Sequence, residues 1–249
     1  MKKRIAICLR GGMSKLKTWF NKDDNTSLLY SNNSYVPYKS CYISIMKHIV
    51  QANPDCEFDF FIQSWNCDLE EDLINLYKPK KTLFEDQRQY TDLINRNKIG
   101  RYAYTAQKLS IQKSLEIMLE YTNKNNIKYD RVIIYRPDVL LWKDMKLSNY
   151  NKDIIYVNHS LNEDFHFIMS QENSLLFSKL FVYKLSIKDF VYKIMKKQIF
   201  FRADDIKCGI HQEVIRKIKF GSIDRHNIPE DLFYKYGLTS EQIQLLTHV

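Results

Sequence analysis

Several short segments hold side chains whose types and spacing could do chemistry. Leu9-Arg10-Gly11-Gly12 follows the apolar run Ile5-Ala6-Ile7-Cys8-Leu9. Glycines at such a place let backbone amides approach a ligand, and an arginine fork suits a phosphate or a base. The plainer alternative is a tight turn. No GxGxxG pattern and no P-loop lysine accompany it, so dinucleotide and P-loop sites are not indicated. A second segment, Asp130 to Asp138, is an apolar strand ending in Arg136-Pro137-Asp138. Charge at the end of a buried strand is costly unless paired or ligated. An acid there would meet a cation or a ribose hydroxyl, and a divalent cation would offset diphosphate charge as a leaving group departs. The alternative is an Arg136–Asp138 ion pair closing a turn.

Two further acids stand at element boundaries. Asp164 precedes a short strand in Glu163-Asp164-Phe165-His166 and could be a turn residue; His166, inside the strand pattern, reads first as a structural histidine. Glu213, in Gly209-Ile210-His211-Gln212-Glu213-Val214, falls in a first helical turn. The helix dipole alone would place an acid there, and a general base toward a hydroxyl nucleophile is the functional reading. Segment 179–207 interleaves lysines with Leu180, Phe181, Phe190, Ile194, Phe200 and Phe201. That mix suits a membrane-surface helix, a polyanion patch or a solvated basic face.

The elements that must position these residues alternate. Arg4–Leu9 reads as a central strand, 12–36 as a long polar loop, Tyr38–Val50 as a helix stopped by Pro54, and Asp59–Ile62 as a second strand. Leu69–Leu76 is a short helix after an Asp68 N-cap. Thr105–Asn123 is the strongest helix, with Ile111, Leu115, Met118 and Thr122 at helical spacing. Arg131–Tyr135 is a strand of the buried parallel type. Strands follow at 154–157 and 165–169, then helices at 172–183 and 211–218 and one capped by Ser240. The order predicts an α/β sheet with helices on its faces and ligands at the carboxyl ends of its strands.

The whole chain has 249 residues, 45% hydrophobic and 27% charged, which excludes a disordered chain. Its net charge of +9 favours polyanionic partners, although no nucleic-acid motif accompanies the charge. Five scattered cysteines without a CxxC pair indicate neither a zinc site nor a disulfide framework. No apolar run approaches the roughly 18 residues of a membrane span, and Arg10 interrupts the N-terminal one. The expected location is therefore the cytoplasm, with peripheral contact at the inner face of the membrane left open.

These segments together resemble small GT-A-type glycosyltransferases of the bacterial capsule, lipooligosaccharide and large-DNA-virus kind. The resemblance is carried by Ile5–Gly11, Phe58–Asn66, Leu76–Lys80, the Gln107 helix and Lys128–Asp138, then by Asp164 and Glu213, over roughly residues 4–220. It implies a single GT-A-like (Rossmann-like) mixed sheet flanked by helices: a catalytic domain over 1–220, with 221–249 as a helical extension packed on it. It implies a nucleotide-sugar donor bound by Arg10, Gly11, Gln107, Arg136 and Asp138, and a glycan or lipid-linked acceptor. Glu213 would be the catalytic base and Asp164 would orient a sugar hydroxyl. Asp138 would ligate Mn²⁺ or Mg²⁺, with His226 as a further ligand. The family's Asp-x-Asp has Arg136 in place of its first acid here, which leaves either the metal or Arg136 to neutralise the diphosphate. Gln63 stands where the family often has histidine. Alternatives of other classes are a catalytically silent nucleotide- or glycan-binding module and a basic membrane-surface adaptor.

Overall fold

Ile5 to Leu9 are all fully buried, which a strand achieves only with neighbours on both edges and layers on both faces. A computed structural model describes residues 2–12, 38–65, 69–96, 102–137, 139, 141, 144–157, 166–183 and 185–201. Among them seven strands form one sheet: β1 (Lys3–Gly11), β2 (Cys56–Ser64), β3 (Lys81–Phe84), β4 (Arg131–Tyr135), β5 (Ile155–Val157), β6 (His166–Met169) and β7 (Ile199–Phe201). Their order is β3-β2-β1-β4-β6-β5-β7. Parallel pairing joins β3, β2, β1 and β4. β6 runs antiparallel to β4 and β5, and β5 and β7 are parallel.

The helices are α1 (Tyr38–Ile45, continued by a π-helical turn over Met46–Gln51), α2 (Glu70–Tyr77), α3 (Thr91–Arg96), α4 (Tyr102–Asn125), α5 (Gln171–Phe177) and α6 (Ile187–Asp189, continued over Phe190–Met195). Strand alternation divides the core. Ile5, Ile7, Leu9, Ile133 and Tyr135 face the layer that holds Ile45, Ile49, Leu73 and Tyr77 of α1, its π turn and α2. Ala6, Cys8, Phe61, Val132 and Ile134 face Ile111, Leu115 and Met118 of α4. The stripe read from spacing is thus the buried face of α4, and Thr122 at its end is 2% exposed. Each large side chain so buried contributes about 1.5–3 kcal/mol.

This is the Rossmann-like mixed sheet flanked by helices that the sequence predicts, and several details differ from the reading. β3 is absent from it: four half-buried residues on a sheet edge are too few for a periodic signal. The turn and helix over 87–96 are also new. α2 starts after Leu69 without a side-chain cap; Asp68 lies outside the described residues, and Glu70, Glu71 and Asp72 complement the helix dipole instead. α5 ends at Phe177, before turns through Tyr183. Segment 179–207, for which a membrane-surface helix, a polyanion patch and a solvated basic face are the readings, is not one element over its described residues. Leu180 and Phe190 are fully buried in the core, and the segment breaks into a turn, α6 and the edge strand β7. Core packing takes Leu180 and Phe190, while Ile194 remains 37% exposed. Residues 13–36, the helices expected at 211–218 and beyond Ser240, and the 221–249 extension lie outside the described residues. Among the described residues no helix is long and apolar enough to cross a membrane.

Candidate functional site

The first four strands follow the order 3-2-1-4, which reverses between β1 and β4. Connections leave the sheet in opposite directions there, and the carboxyl ends of strands at such a reversal are the usual ligand position in such sheets. Arg10 and Gly11 end β1, and Arg136-Pro137 follow β4. The register places Cys8 beside Ile134. Arg10 and Arg136 each stand two residues further on, so both reach the same edge. The strand order in sequence predicts ligands at these tips, and the parallel register sets the two tips side by side.

Arg10 is 3% exposed, and its Nη1 donates to Ser110 Oγ of α4 at 3.1 Å. Ser110 Oγ in turn donates to the Gln107 carbonyl at 2.8 Å. Gln107 thus lies one helical turn before the residue that holds Arg10. Gly11 has φ +93°, a conformation that disfavours any side chain, and a Cβ built there meets nothing within 4 Å. Its N–H donates to Gln63 Oε1 at 3.2 Å, and its carbonyl accepts from Trp65 N at 3.4 Å. The glycine is required by backbone shape, and open space lies in front of it.

Trp65 fixes the tip of β2 to α4. It packs with Leu109, and its ring centroid is 5.8 Å from that of Tyr90. Behind β4, the Arg136 carbonyl accepts from Val139 N at 3.2 Å, closing a four-residue turn with Pro137 in its second place. Tyr135 OH donates to the Val139 carbonyl at 2.8 Å. Ser44 Oγ accepts from Leu141 N at 2.8 Å, which ties the outgoing chain to α1. The turn half of the plainer reading of Arg-Pro-Asp is therefore present; Asp138 itself lies outside the described residues.

Two side chains here were not assigned roles from the sequence. Gln63 is fully buried opposite Arg10, and its Nε2 has no hydrogen-bond partner. Lys108 is 8% exposed, and burial alone pushes its ammonium pKa below the usual lysine value. A signal for Lys108 existed: it precedes Ile111 by three residues, on the core-facing stripe of α4.

Other candidates divide as follows. His166 is fully buried on β6, its ring 6.4 Å from that of Tyr135, and burial pushes its pKa down to about 4. It is a neutral structural histidine. Asp59, in the segment that supports the resemblance, is also structural: it accepts from Arg4 Nε and Tyr129 OH, each at 2.7 Å. Asp164, Glu213 and His226 lie outside the described residues. Among the described residues no group of three or more His, Cys, Asp or Glu could hold a metal ion. The described side chains at the crevice are donors and cations, which do not make a metal site by themselves. A cavity of about 290 Å³ lies at the opposite, amino edge of the sheet, lined by Lys3, Asn53, Cys56, Asp130 and Lys146 among others. Position at the strand reversal favours the carboxyl edge over it.

No family model and no curated protein matches the chain. Among solved structures it is similar to a protein named as a nucleotide-diphospho-sugar transferase from Desulfovibrio desulfuricans G20, with 13% identity, 96% of this chain and 100% of that one covered, and a TM-score of 0.43. It is also similar to the inositol-1-phosphate CTP transferase of T. maritima, with 12% identity, 99% and 96% covered, and a TM-score of 0.40. A third is the glycosyltransferase GlyE of Streptococcus pneumoniae TIGR4, with 9% identity, 100% and 63% covered, and a TM-score of 0.38. Likeness this slight carries no chemistry from those proteins to this one. The strand order and the side chains themselves carry the functional reading.

Proposed function

We propose that the chain is a glycosyltransferase that moves a sugar from a nucleoside diphosphate sugar to a glycan or lipid-linked hydroxyl in surface polysaccharide synthesis. One observation carries the reading: the strand reversal brings Arg10-Gly11 and Arg136-Pro137 to one edge, where α4 holds Arg10. Positive groups at a crevice in a parallel sheet suit a diphosphate.

In this reading Gly11 leaves room for the nucleotide and Arg10 binds it, while Gln107 completes the wall. As the acceptor oxygen bonds to the anomeric carbon, the bond from that carbon to the phosphate oxygen breaks and the nucleoside diphosphate departs. Arg136 stabilises the charge that develops on it. Glu213 takes the acceptor proton and Asp164 orients a sugar hydroxyl. Asp138 is the candidate ligand for a divalent cation, which would share the neutralisation of the diphosphate. Exposed lysines near α5 and α6, Lys179, Lys188 and Lys196, offer peripheral contact with an anionic surface.

Mass spectrometry after incubation with a panel of uridine, guanosine, cytidine and adenosine diphosphate sugars and mixed glycan acceptors tests the proposal. One donor is consumed, its nucleoside diphosphate appears, and Asp138→Ala and Glu213→Gln each abolish the product without loss of fold. Full activity in both variants contradicts the roles. A donor bound by the wild type but never consumed identifies a silent binding module instead.

A further inference from the structure

Exposed apolar side chains are not scattered over this surface. Among the described residues seven large ones are exposed, and six of them, Leu175, Leu176, Val182, Tyr183, Tyr192 and Ile194, fall between 175 and 194. A single exposed apolar residue is ordinary, whereas a group of them marks a contact. The same stretch is basic: residues 171–197 hold six lysines against two acids, Glu172 and Asp189. Lys179, Lys188, Lys193 and Lys196 are exposed, and Asp189 is paired with Lys193 at 3.1 Å.

Helical spacing sorts these side chains onto one surface. Turns continue past α5, with Lys179 N donating to the Leu176 carbonyl and Val182 N to the Lys179 carbonyl, each at 3.1 Å. Leu175, Leu176, Lys179, Val182 and Tyr183 recur every three or four residues, on the side opposite the buried Ser174, Phe177, Ser178 and Leu180. Along α6 and its continuation Lys188, Tyr192 and Lys196 recur every four, opposite Ile187, Val191 and Met195. The inner sides of both segments enter the same core, where the rings of Phe177 and Phe190 are 6.2 Å apart. Tyr183 packs on Phe190 at 5.3 Å. The two outer sides therefore adjoin and face away from the sheet.

The mixture selects its occupant. In a two-fold contact between copies of this chain each patch meets itself, so lysines would face lysines, and lysine is depleted from the centres of protein interfaces. A nucleic-acid backbone has no use for Leu175 and Val182, which are 52% and 66% exposed. An anionic bilayer surface uses every part: aliphatic side chains enter the acyl boundary, tyrosines sit at the headgroups, and lysine stems lie along apolar surface with their ammonium groups on lipid phosphates.

We propose that the outer side of residues 175–196 is a docking surface for an anionic lipid bilayer, with Leu175, Leu176 and Val182 as anchors and Lys179, Lys188 and Lys196 as the charges that select the lipid. The inference rests on the peripheral contact included in the proposed function and gives it apolar anchors.

Co-sedimentation of the full chain with vesicles, without donor or acceptor, tests it. The chain binds vesicles of equimolar phosphatidylcholine and phosphatidylglycerol, binds phosphatidylcholine alone weakly, and binds less tightly at physiological than at low salt. Lys179→Gln, Lys188→Gln and Lys196→Gln each weaken binding about fivefold at low salt. Leu175→Ser combined with Val182→Ser weakens it about tenfold or more at both salts. All variants melt with the wild type; if the serine pair melts lower, the three lysine variants decide. No binding to the mixed vesicles overturns the inference, including the case of a dimer that the serine pair dissolves. So does equal binding to phosphatidylcholine alone, or a folded lysine series that binds as the wild type does. The two readings fail separately: vesicle binding by a chain that consumes no donor ends the transferase reading alone, and sugar transfer by a chain indifferent to vesicles ends this one alone.

Discussion

Arg10 Nη1 on β1 donates to Ser110 Oγ on α4 at 3.1 Å, across a sequence separation of 100 residues. The bond joins the central strand to the helix that crosses behind it, at the edge where the strand order reverses. It holds a cationic fork that is 3% exposed in a fixed direction. A long side chain ordered before a ligand arrives loses less entropy on binding.

Arg10→Ala should therefore weaken nucleoside diphosphate binding by about ten- to a hundredfold, the range for one or two charge-assisted hydrogen bonds. Ser110→Ala removes only the tether and should cost tenfold or less, about 0.5–1.5 kcal/mol. Calorimetric titration of both variants checks the order. Equal losses would show that the tether, and not the guanidinium charge, carries the effect.

Gly11→Ala separates backbone shape from ligand space. A side chain at φ +93° is strained by about 1–2 kcal/mol, yet its Cβ meets no atom within 4 Å. The variant should fold with a modestly lower denaturation midpoint and bind nucleotide poorly, because the methyl occupies the space in front of the glycine. Wild-type affinity in a folded variant would place the nucleotide elsewhere.

Asp59→Ala should act on stability alone. Its carboxylate, 8% exposed, takes hydrogen bonds from Arg4 and Tyr129 and has Lys80 Nζ at 3.6 Å. Removing it strands these groups and should cost about 3 kcal/mol, since Arg4 is partly solvated and lies at the low end for buried pairs. It stands about 13 Å along β2 from Gln63. Nucleotide affinity should stay within about twofold of the wild type, measured at a temperature where both are folded.

His166 gives the fold an acid limit. In the unfolded chain its imidazole takes a proton near pH 6.5, and in the folded chain burial lowers that to about 4. Between these values the unfolded state holds the extra proton, so stability falls as pH drops from 6.5 toward 4 and is fully present above 6.5. The shift corresponds to about 3 kcal/mol. Urea unfolding at pH 7 and pH 4.5 should show this loss in the wild type and a smaller one in His166→Phe. The same loss in both would assign the acid sensitivity to other groups.

Much of this architecture was legible in the sequence because buried parallel strands and a long amphipathic helix leave strong patterns. Ile5–Leu9, Arg131–Tyr135 and the Ile111-Leu115-Met118 stripe all lie where the spacing put them. β3 and β7 left little pattern, being four and three residues long on sheet edges. The lysine-rich stretch left its alternatives open for a different reason. Leu180 and Phe190 are equally apolar whether they face a bilayer or the core, and only the tertiary packing decides. Of the candidate site residues named from the sequence, Arg10 and Gly11 end β1 and Gln107 lies in α4, while Asp138, Asp164 and Glu213 lie outside the described residues. Lys108 was not singled out, although its place three residues before Ile111 continues the apolar stripe of α4.

Hydrogen exchange measured by mass spectrometry, with and without the nucleoside diphosphate that most raises the melting temperature, tests the central claim most directly. The account predicts slowed exchange at residues 9–12, 63–65, 105–111 and 135–137, the strand tips and the facing half of α4. Protection confined to the amino edge, at 52–56 and 146–148 around the cavity there, would contradict it, as would no protection with any nucleotide.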